Sequence, residues 1–108
     1  MGRGGFPGPP AVAALNNLGL ALRHVRRFEE AVSGCQDAAA IYRETSDRHS
    51  EGLALVGLGR ALQEVRQLEE AVSAHQDAVA IFRETGDRYW EDIALRNLEK
   101  YRAAQAPK

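Results

Sequence analysis

The chain has 108 residues with 14 Lys and Arg against 15 Asp and Glu, a formal net charge of -1, and charges of both signs along its length. This length fits one domain, and the balanced charge excludes a general attraction to nucleic acid or to an anionic membrane. A single cysteine excludes an internal disulfide, and no apolar run approaches the length of a signal peptide or membrane span, so we expect a cytoplasmic protein.

The first residues of the chain, 1–10, are rich in Gly and Pro and are predicted to form a flexible leader. Pro10 suits the first turn of a helix, and the apolar periodicity that follows predicts an amphipathic helix, A1, over residues 11–25. After a tight junction at Arg26 and Arg27, a second apolar stripe predicts helix B1, which ends near Thr45.

Residues 14–53 and residues 54–93 are near copies, with about 24 of 40 positions identical and no gap. A tandem duplication of this length is typical of repeat proteins, in which each unit buries its apolar face only by stacking on a neighbour. The second copy therefore predicts helix A2 over about 49–65 and helix B2 over 68–85.

A fifth helix is predicted over about 89–104. It begins with the apolar pattern of a third repeat at Ala94 and Leu95 and then becomes polar, which indicates a capping helix with a solvated outer face. Gly86 is predicted to end helix B2, and Asp87 is predicted to cap the fifth helix.

The two copies share a pattern of leucines and small residues, which allows two helices to approach closely. The pattern consists of Leu15, Leu18, Gly19, Leu22, Ala31 and Ala38, repeated as Leu55, Leu58, Gly59, Leu62, Ala71 and Ala78. It resembles the tetratricopeptide repeat, in the longer form of kinesin light chains and of actinobacterial regulators. The resemblance implies an all-α helical solenoid of two helix-turn-helix hairpins plus a C-terminal capping helix, in one domain over residues 11–106.

The resemblance also implies a non-enzymatic protein-protein interaction module, either a scaffold or the sensor arm of a larger regulator. In this family the A helices line a concave groove that binds a peptide or protein segment. The matching positions here are Asn16, Leu20, Arg23, Val56, Arg60, Gln63, Arg96 and Lys100. The basic members favour an acidic segment or a C-terminal carboxylate as partner. The alternative interpretation is that these are only solvated residues of the helix surface.

Two residues could carry chemistry. Cys35 and His75 occupy equivalent positions one repeat apart, where they would make a Cys/His dyad or half of a metal site. Both fall on the apolar stripes of their helices, which favours core packing instead. The glutamate pairs at 29–30 and 69–70 lie in the first turn of each B helix, where negative charge suits the helix dipole. The sequence therefore predicts no catalytic residue, no metal and no cofactor.

Helix A1 has few charges, and its outer side would leave apolar residues in water, so we expect either that more repeats precede it in a longer parent protein or that it pairs with another copy. Pairing is a structural alternative to peptide binding, in which the chain forms a homo-oligomer. The contact would be made through the uncapped N-terminal helix, or by exchange of hairpins between near-identical repeats.

Overall fold

Four helices follow one another along the described part of the chain, which in this computed structural model comprises the backbone of residues 9–105 and the side chains of residues 24–104. They are α1 (Pro9–Glu44), α2 (Arg48–Glu64), α3 (Leu68–Thr85) and α4 (Arg88–Gln105). Each helix packs on the next one in the chain. No strand occurs between residues 9 and 105, and the predicted all-α helical-repeat class is confirmed. None of the helices described combines the length and the apolar character that crossing a membrane requires.

The predictions for A2, B2 and the fifth helix are confirmed, because α2, α3 and α4 begin and end within one residue of them. The predicted leader lies mostly outside the described residues, since α1 already begins at Pro9.

The first hairpin differs from the prediction. The predicted helices A1 and B1 are joined in α1, a single helix of 36 residues that passes through Arg26 and Arg27 without a turn. The predicted junction at these two residues is therefore wrong. A tight turn here would place an arginine in the left-handed region, which is unfavourable for a residue with a Cβ, whereas a continuing helix avoids that conformation. Residues 11–25 are called the A1 segment and residues 28–44 the B1 segment.

The B1 segment is the part of α1 that lies beside α2. A short connection joins α1 to α2, and the 17 residues of an antiparallel α2 reach back along α1 to about Phe28. The side chains of residues 24–27 are all exposed, whereas Ala39 in the B1 segment is 4% exposed. The A1 segment therefore extends past the end of α2.

Both predicted caps at the junction between α3 and α4 are confirmed. Gly86 ends α3 in the left-handed conformation, with a φ of 76°. The side chain of Asp87 accepts a hydrogen bond from the backbone N–H of Trp90 at 3.1 Å. At the equivalent junction between α1 and α2, Ser46 has a φ of 60°, and Asp47 caps α2 in the same way.

The core lies between α2, α3, α4 and one side of the B1 segment. Two glycines of α2 allow α3 to approach closely: an added Cβ would lie 2.4 Å from His75 Nε2 at Gly59, and 2.8 Å from Phe82 Cε1 at Gly52. The larger apolar residues of the core are Leu55, Val56, Leu58, Leu62, Val79, Ile81, Phe82, Leu98 and Tyr101.

Candidate protein-binding surface

Tyr101 of α4 forms the polar centre of the contact between α2 and α4. Its ring is 2% exposed, and its hydroxyl donates a hydrogen bond to Gln63 Oε1 at 2.8 Å. The hydroxyl oxygen of Tyr101 also lies 3.3 Å from the carbonyl oxygen of Gly59 and 3.3 Å from Nε2 of His75. Burial raises the pKa of Tyr101, so the hydroxyl remains protonated and joins α2 to α4. Because α4 begins with the apolar pattern of a third repeat, α2 and α4 are both called A helices.

His75 of α3 is completely buried. Burial, and secondly the positive charge of Arg60, lower the pKa of His75 to about 4, so the ring is neutral near pH 7. Because the Tyr101 hydrogen is directed to Gln63, we assign the His75 hydrogen to Nε2, from which it donates to Tyr101. His75 Nδ1 and Asn97 Nδ2 are buried and have no hydrogen-bond partner within the described residues.

Four of the predicted groove residues lie on the exposed parts of these two A helices. Arg60 and Gln63 belong to α2, and Arg96 and Lys100 belong to α4, one helical turn apart. Arg60 lies close enough to His75 and Tyr101 for its charge to act on their pKa values. We call Arg60, Gln63, Arg96 and Lys100 the α2–α4 surface.

Val56 does not lie on that surface. It is 2% exposed and belongs to the core, so its prediction as a groove residue is wrong. Val56 lies one helical turn after Gly52 and one before Gly59, the two positions at which α2 lies against α3. The match to the family position predicted an exposed residue, but α3 packs against this side of α2.

The other three predicted groove residues, Asn16, Leu20 and Arg23, lie outside the residues whose side chains are described. All three belong to the A1 segment. Because α1 is continuous, this segment runs on past α2 instead of folding back beside it. The first A helix therefore does not line a common groove with α2 and α4 in this arrangement.

Cys35 and His75 lie on different sides of α2. An added Cβ at Gly57 would lie 3.2 Å from Cys35 Sγ, whereas the Cβ position at Gly59 faces the His75 ring. Two residues two apart on a helix point in nearly opposite directions, so α2 separates the thiol from the imidazole. They form no dyad. Among the described side chains, no group of three His, Cys, Asp or Glu residues could hold a metal ion.

A charged cluster that the sequence reasoning missed joins the ends of α1, α2 and α3. Glu51 is 2% exposed and accepts hydrogen bonds from Arg43 Nε at 3.0 Å and from Arg48 Nη1 at 2.8 Å. Arg48 Nε also bonds Glu84 Oε2 at 2.7 Å, and this bond lowers the pKa of Glu84.

The same arrangement recurs one repeat later, where Arg83 Nε bonds Glu91 Oε2 at 2.7 Å. Its signal in the sequence is an arginine near the end of each B helix and a glutamate eight residues later, at 43 and 51 and again at 83 and 91. Both pairs join the end of a B helix to the first turns of the helix that follows it. Among the described residues, no ion pair involves the α2–α4 surface.

A family model described as Tetratricopeptide repeat matches residues 11–84. The match covers more than half of the chain, and with the helical repeat described above it shows that this chain belongs to the tetratricopeptide repeat family. Repeats of this family generally act as protein-interaction modules rather than as enzymes. Among curated proteins and solved structures, none matches the chain.

Proposed function

We propose that this domain binds an acidic peptide or protein segment on the α2–α4 surface. The observation that carries the proposal is that three cationic side chains, Arg60, Arg96 and Lys100, are exposed on the two A helices that Tyr101 holds together. A peptide laid across both helices would meet these charges in a fixed arrangement.

The hydrogen-bonding capacity of the surface supports an anionic partner. Arginine and lysine side chains only donate hydrogen bonds. Gln63 could also accept one, but its Oε1 already accepts the Tyr101 hydroxyl, so mainly its N–H groups remain for a ligand. A surface of donors suits carboxylates, and above all a C-terminal carboxylate, to which a guanidinium donates two parallel bonds. We infer a role as adaptor or sensor arm of a larger regulator in the cytoplasm.

The direct test is calorimetry with a short acidic peptide that has a free carboxyl terminus, compared with the same peptide amidated. The variant is Arg60→Glu. We expect the dissociation constant to rise at least tenfold, which corresponds to about 1.4 kcal/mol. The substitution replaces a hydrogen-bond donor by a carboxylate with the same charge as the peptide. Unchanged affinity in a variant with an unchanged circular dichroism spectrum would exclude this surface as the binding site.

Arg102→Glu is the matched control. Arg102 is exposed on α4, but it lies two positions after Lys100 and so points to the opposite side of the helix. The same reversal of charge at this position should leave affinity within about twofold, and only a small long-range effect that salt screens is expected. Equal losses from Arg60→Glu and Arg102→Glu would mean that net charge, and not the α2–α4 surface, attracts the peptide.

The second candidate function is self-association, and a specific observation favours it. Val25 and Ile41 of α1 are 49% and 57% exposed, although both side chains are large and apolar. A contact between copies would remove them from water. Light scattering tests this candidate directly, since a mass of 11.8 kDa from micromolar to millimolar concentration would rule it out.

A further inference from the structure

The two B helices are near copies, yet their surfaces are covered to very different degrees. Ile81 of α3 is 3% exposed, whereas its equivalent in the B1 segment, Ile41, is 57% exposed. His75 is completely buried, whereas its equivalent Cys35 is only partly buried. Four further positions differ in the same way. In α3 they are buried, and in the B1 segment their equivalents are not: Ala71, Ala74, Ala78 and Phe82 correspond to Ala31, Gly34, Ala38 and Tyr42.

The second repeat shows what covers such a face. At Gly52 and Gly59, α2 lies against Ile81, Phe82 and His75 of α3. The A1 segment is the sequence equivalent of α2, and it keeps the central glycine, since Gly19 corresponds to Gly59. The chain therefore contains the helix that matches the uncovered face of its B1 segment.

The continuous helix α1 prevents the A1 segment from reaching the B1 segment of its own chain. Both lie on one continuous helix that passes through Arg26 and Arg27, and the A1 segment runs on past the end of α2. A second copy is free of this restriction. An antiparallel partner helix can lie along the B1 segment in the place that α2 occupies on α3.

Charge complementarity supports the pairing. Residues 9–27 contain three arginines, Arg23, Arg26 and Arg27, and no acidic residue. Residues 28–45 contain four acidic residues and one arginine. In an antiparallel pair, the arginines at and just after the end of one A1 segment would lie beside Glu29 and Glu30 at the start of the other copy's B1 segment, where opposite charges attract.

We propose that two copies of this chain form a dimer by reciprocal exchange, in which the A1 segment of each copy packs on the B1 segment of the other and completes its first hairpin. The continuous helix at Arg26 and Arg27 is the exchanged form of a junction that is a turn in the second repeat. There, Arg66 adopts a φ of 67°, a left-handed conformation that the exchanged dimer avoids. This inference rests on the second candidate function, self-association.

Cross-linking through the native thiol tests the exchange. Because the Cβ position at Gly59 faces His75, Gly19→Cys should place a new thiol opposite Cys35 of the other copy. The full chain is oxidised with diamide and run under denaturing, non-reducing conditions. We expect a covalent dimer near twice the monomer mass of 11.8 kDa. Leu20→Cys, which turns the new thiol about 100° away, is the matched control and should remain mostly monomeric on the gel.

A second pair of variants tests the junction by light scattering. Arg26→Gly allows the left-handed turn and should convert the dimer to a closed monomer, whereas Arg26→Ala keeps the helix and should keep the dimer. A dimeric wild type in which Gly19→Cys gives only a disulfide within one chain, or none, would overturn the exchange and leave self-association standing. A wild type that is monomeric at every concentration would overturn both.

Discussion

Residues 24–28 in the first repeat and 64–68 in the second are equivalent, and both contain Val-Arg at the same two positions. In the first repeat this sequence is part of the continuous helix α1. In the second, α2 ends at Glu64, and Arg66 turns the chain with a φ of 67°. The same Val-Arg pair therefore lies in a helix in one repeat and in a turn in the other.

The difference comes from the neighbours of each A helix. A left-handed arginine costs about 1–2 kcal/mol, and both junctions would incur that cost. In the second repeat the turn places α2 between α1 and α3 and beside α4, where it buries Leu55, Val56, Leu58 and Leu62. Each such side chain contributes about 1.5–3 kcal/mol on burial, which offsets the strained turn several times over. Within these 108 residues a turned-back A1 segment could contact only the B1 segment and α2, so fewer contacts would offset its turn.

The largest expected effect on stability comes from replacing the equivalent isoleucine of each repeat by alanine. Ile81→Ala should lower the free energy of unfolding by about 2–5 kcal/mol, since Ile81 is buried against α2. Ile41→Ala should change the stability of the monomer by less than about 0.5 kcal/mol, because Ile41 is more than half exposed. Urea denaturation followed by circular dichroism at low protein concentration measures both.

Measuring both variants at several protein concentrations tests whether a second copy covers Ile41. If a second copy covers Ile41, the loss from Ile41→Ala should grow as the protein is concentrated, whereas the loss from Ile81→Ala should not depend on concentration. Equal losses from the two substitutions in dilute solution would mean that the A1 segment already covers Ile41 within one chain.

The next largest effect is a loss of folding stability in acid that comes from His75 of the second repeat and has no counterpart in the first. The pKa of His75, lowered by burial to about 4, lies below the ordinary unfolded value of about 6.5. The unfolded chain therefore binds this proton more readily, so stability is lost as the pH falls from about 6.5 to 4, and no further loss from this group follows below that range. At pH 5 the loss relative to pH 7 is about 2 kcal/mol. Denaturant melts between pH 4 and 7 measure it.

His75→Gln is the variant that isolates this titration. Glutamine can still donate a hydrogen bond to the Tyr101 hydroxyl, but it does not titrate, so the stability curve between pH 5 and 7 should become flat. The equivalent residue in the first repeat, Cys35, is neutral over this range, because burial raises its pKa. The ion-paired Asp87 and Glu84, whose pKa values are lowered, lose their contribution only at more acid pH. An unchanged slope in His75→Gln would assign the acid sensitivity to another group.

Local signals in the sequence predicted most of the fold. Apolar periodicity gave α2 and α3, Gly86 supplied the left-handed cap, and Asp87 the hydrogen bond that starts α4. The path of the chain at Arg26 could not be predicted in this way, because the two junctions carry the same local signal. It depends on packing between helices that are distant in the sequence.

The candidate site was predicted less completely. Arg60 and Lys100 are exposed as expected, since a charged side chain outside the apolar arc has a strong preference for water. The burial of Val56 depends on α3 packing against the side of α2 that carries Gly52 and Gly59, which the sequence of α2 alone cannot reveal. Glu51 could have been found from its eight-residue spacing to Arg43, which recurs at Arg83 and Glu91.

The smallest expected effect concerns the junctions from helix B to helix A, where the two repeats agree in shape and differ by one side chain. Ser46 and Gly86 are both left-handed, with φ values of 60° and 76°. The Asp47 N–H donates to the Tyr42 carbonyl at 2.9 Å, and the Asp87 N–H donates to the Phe82 carbonyl of α3 at 2.9 Å. The backbone hydrogen bonds are thus the same, and only the Cβ of Ser46 differs.

Because glycine takes this conformation without a steric cost, Ser46→Gly should stabilise the domain by about 1 kcal/mol, and Gly86→Ser should destabilise it by a similar amount. Thermal melts of the two single variants and of the double variant test this, since the two changes should cancel in the double variant. Space around Gly86 does not limit the result, because an added Cβ there meets no atom within 4 Å. If Ser46→Gly is neutral while Gly86→Ser destabilises, the two junctions are not equivalent despite their shared shape, and the Ser46 side chain contributes a stabilising interaction that offsets its strain.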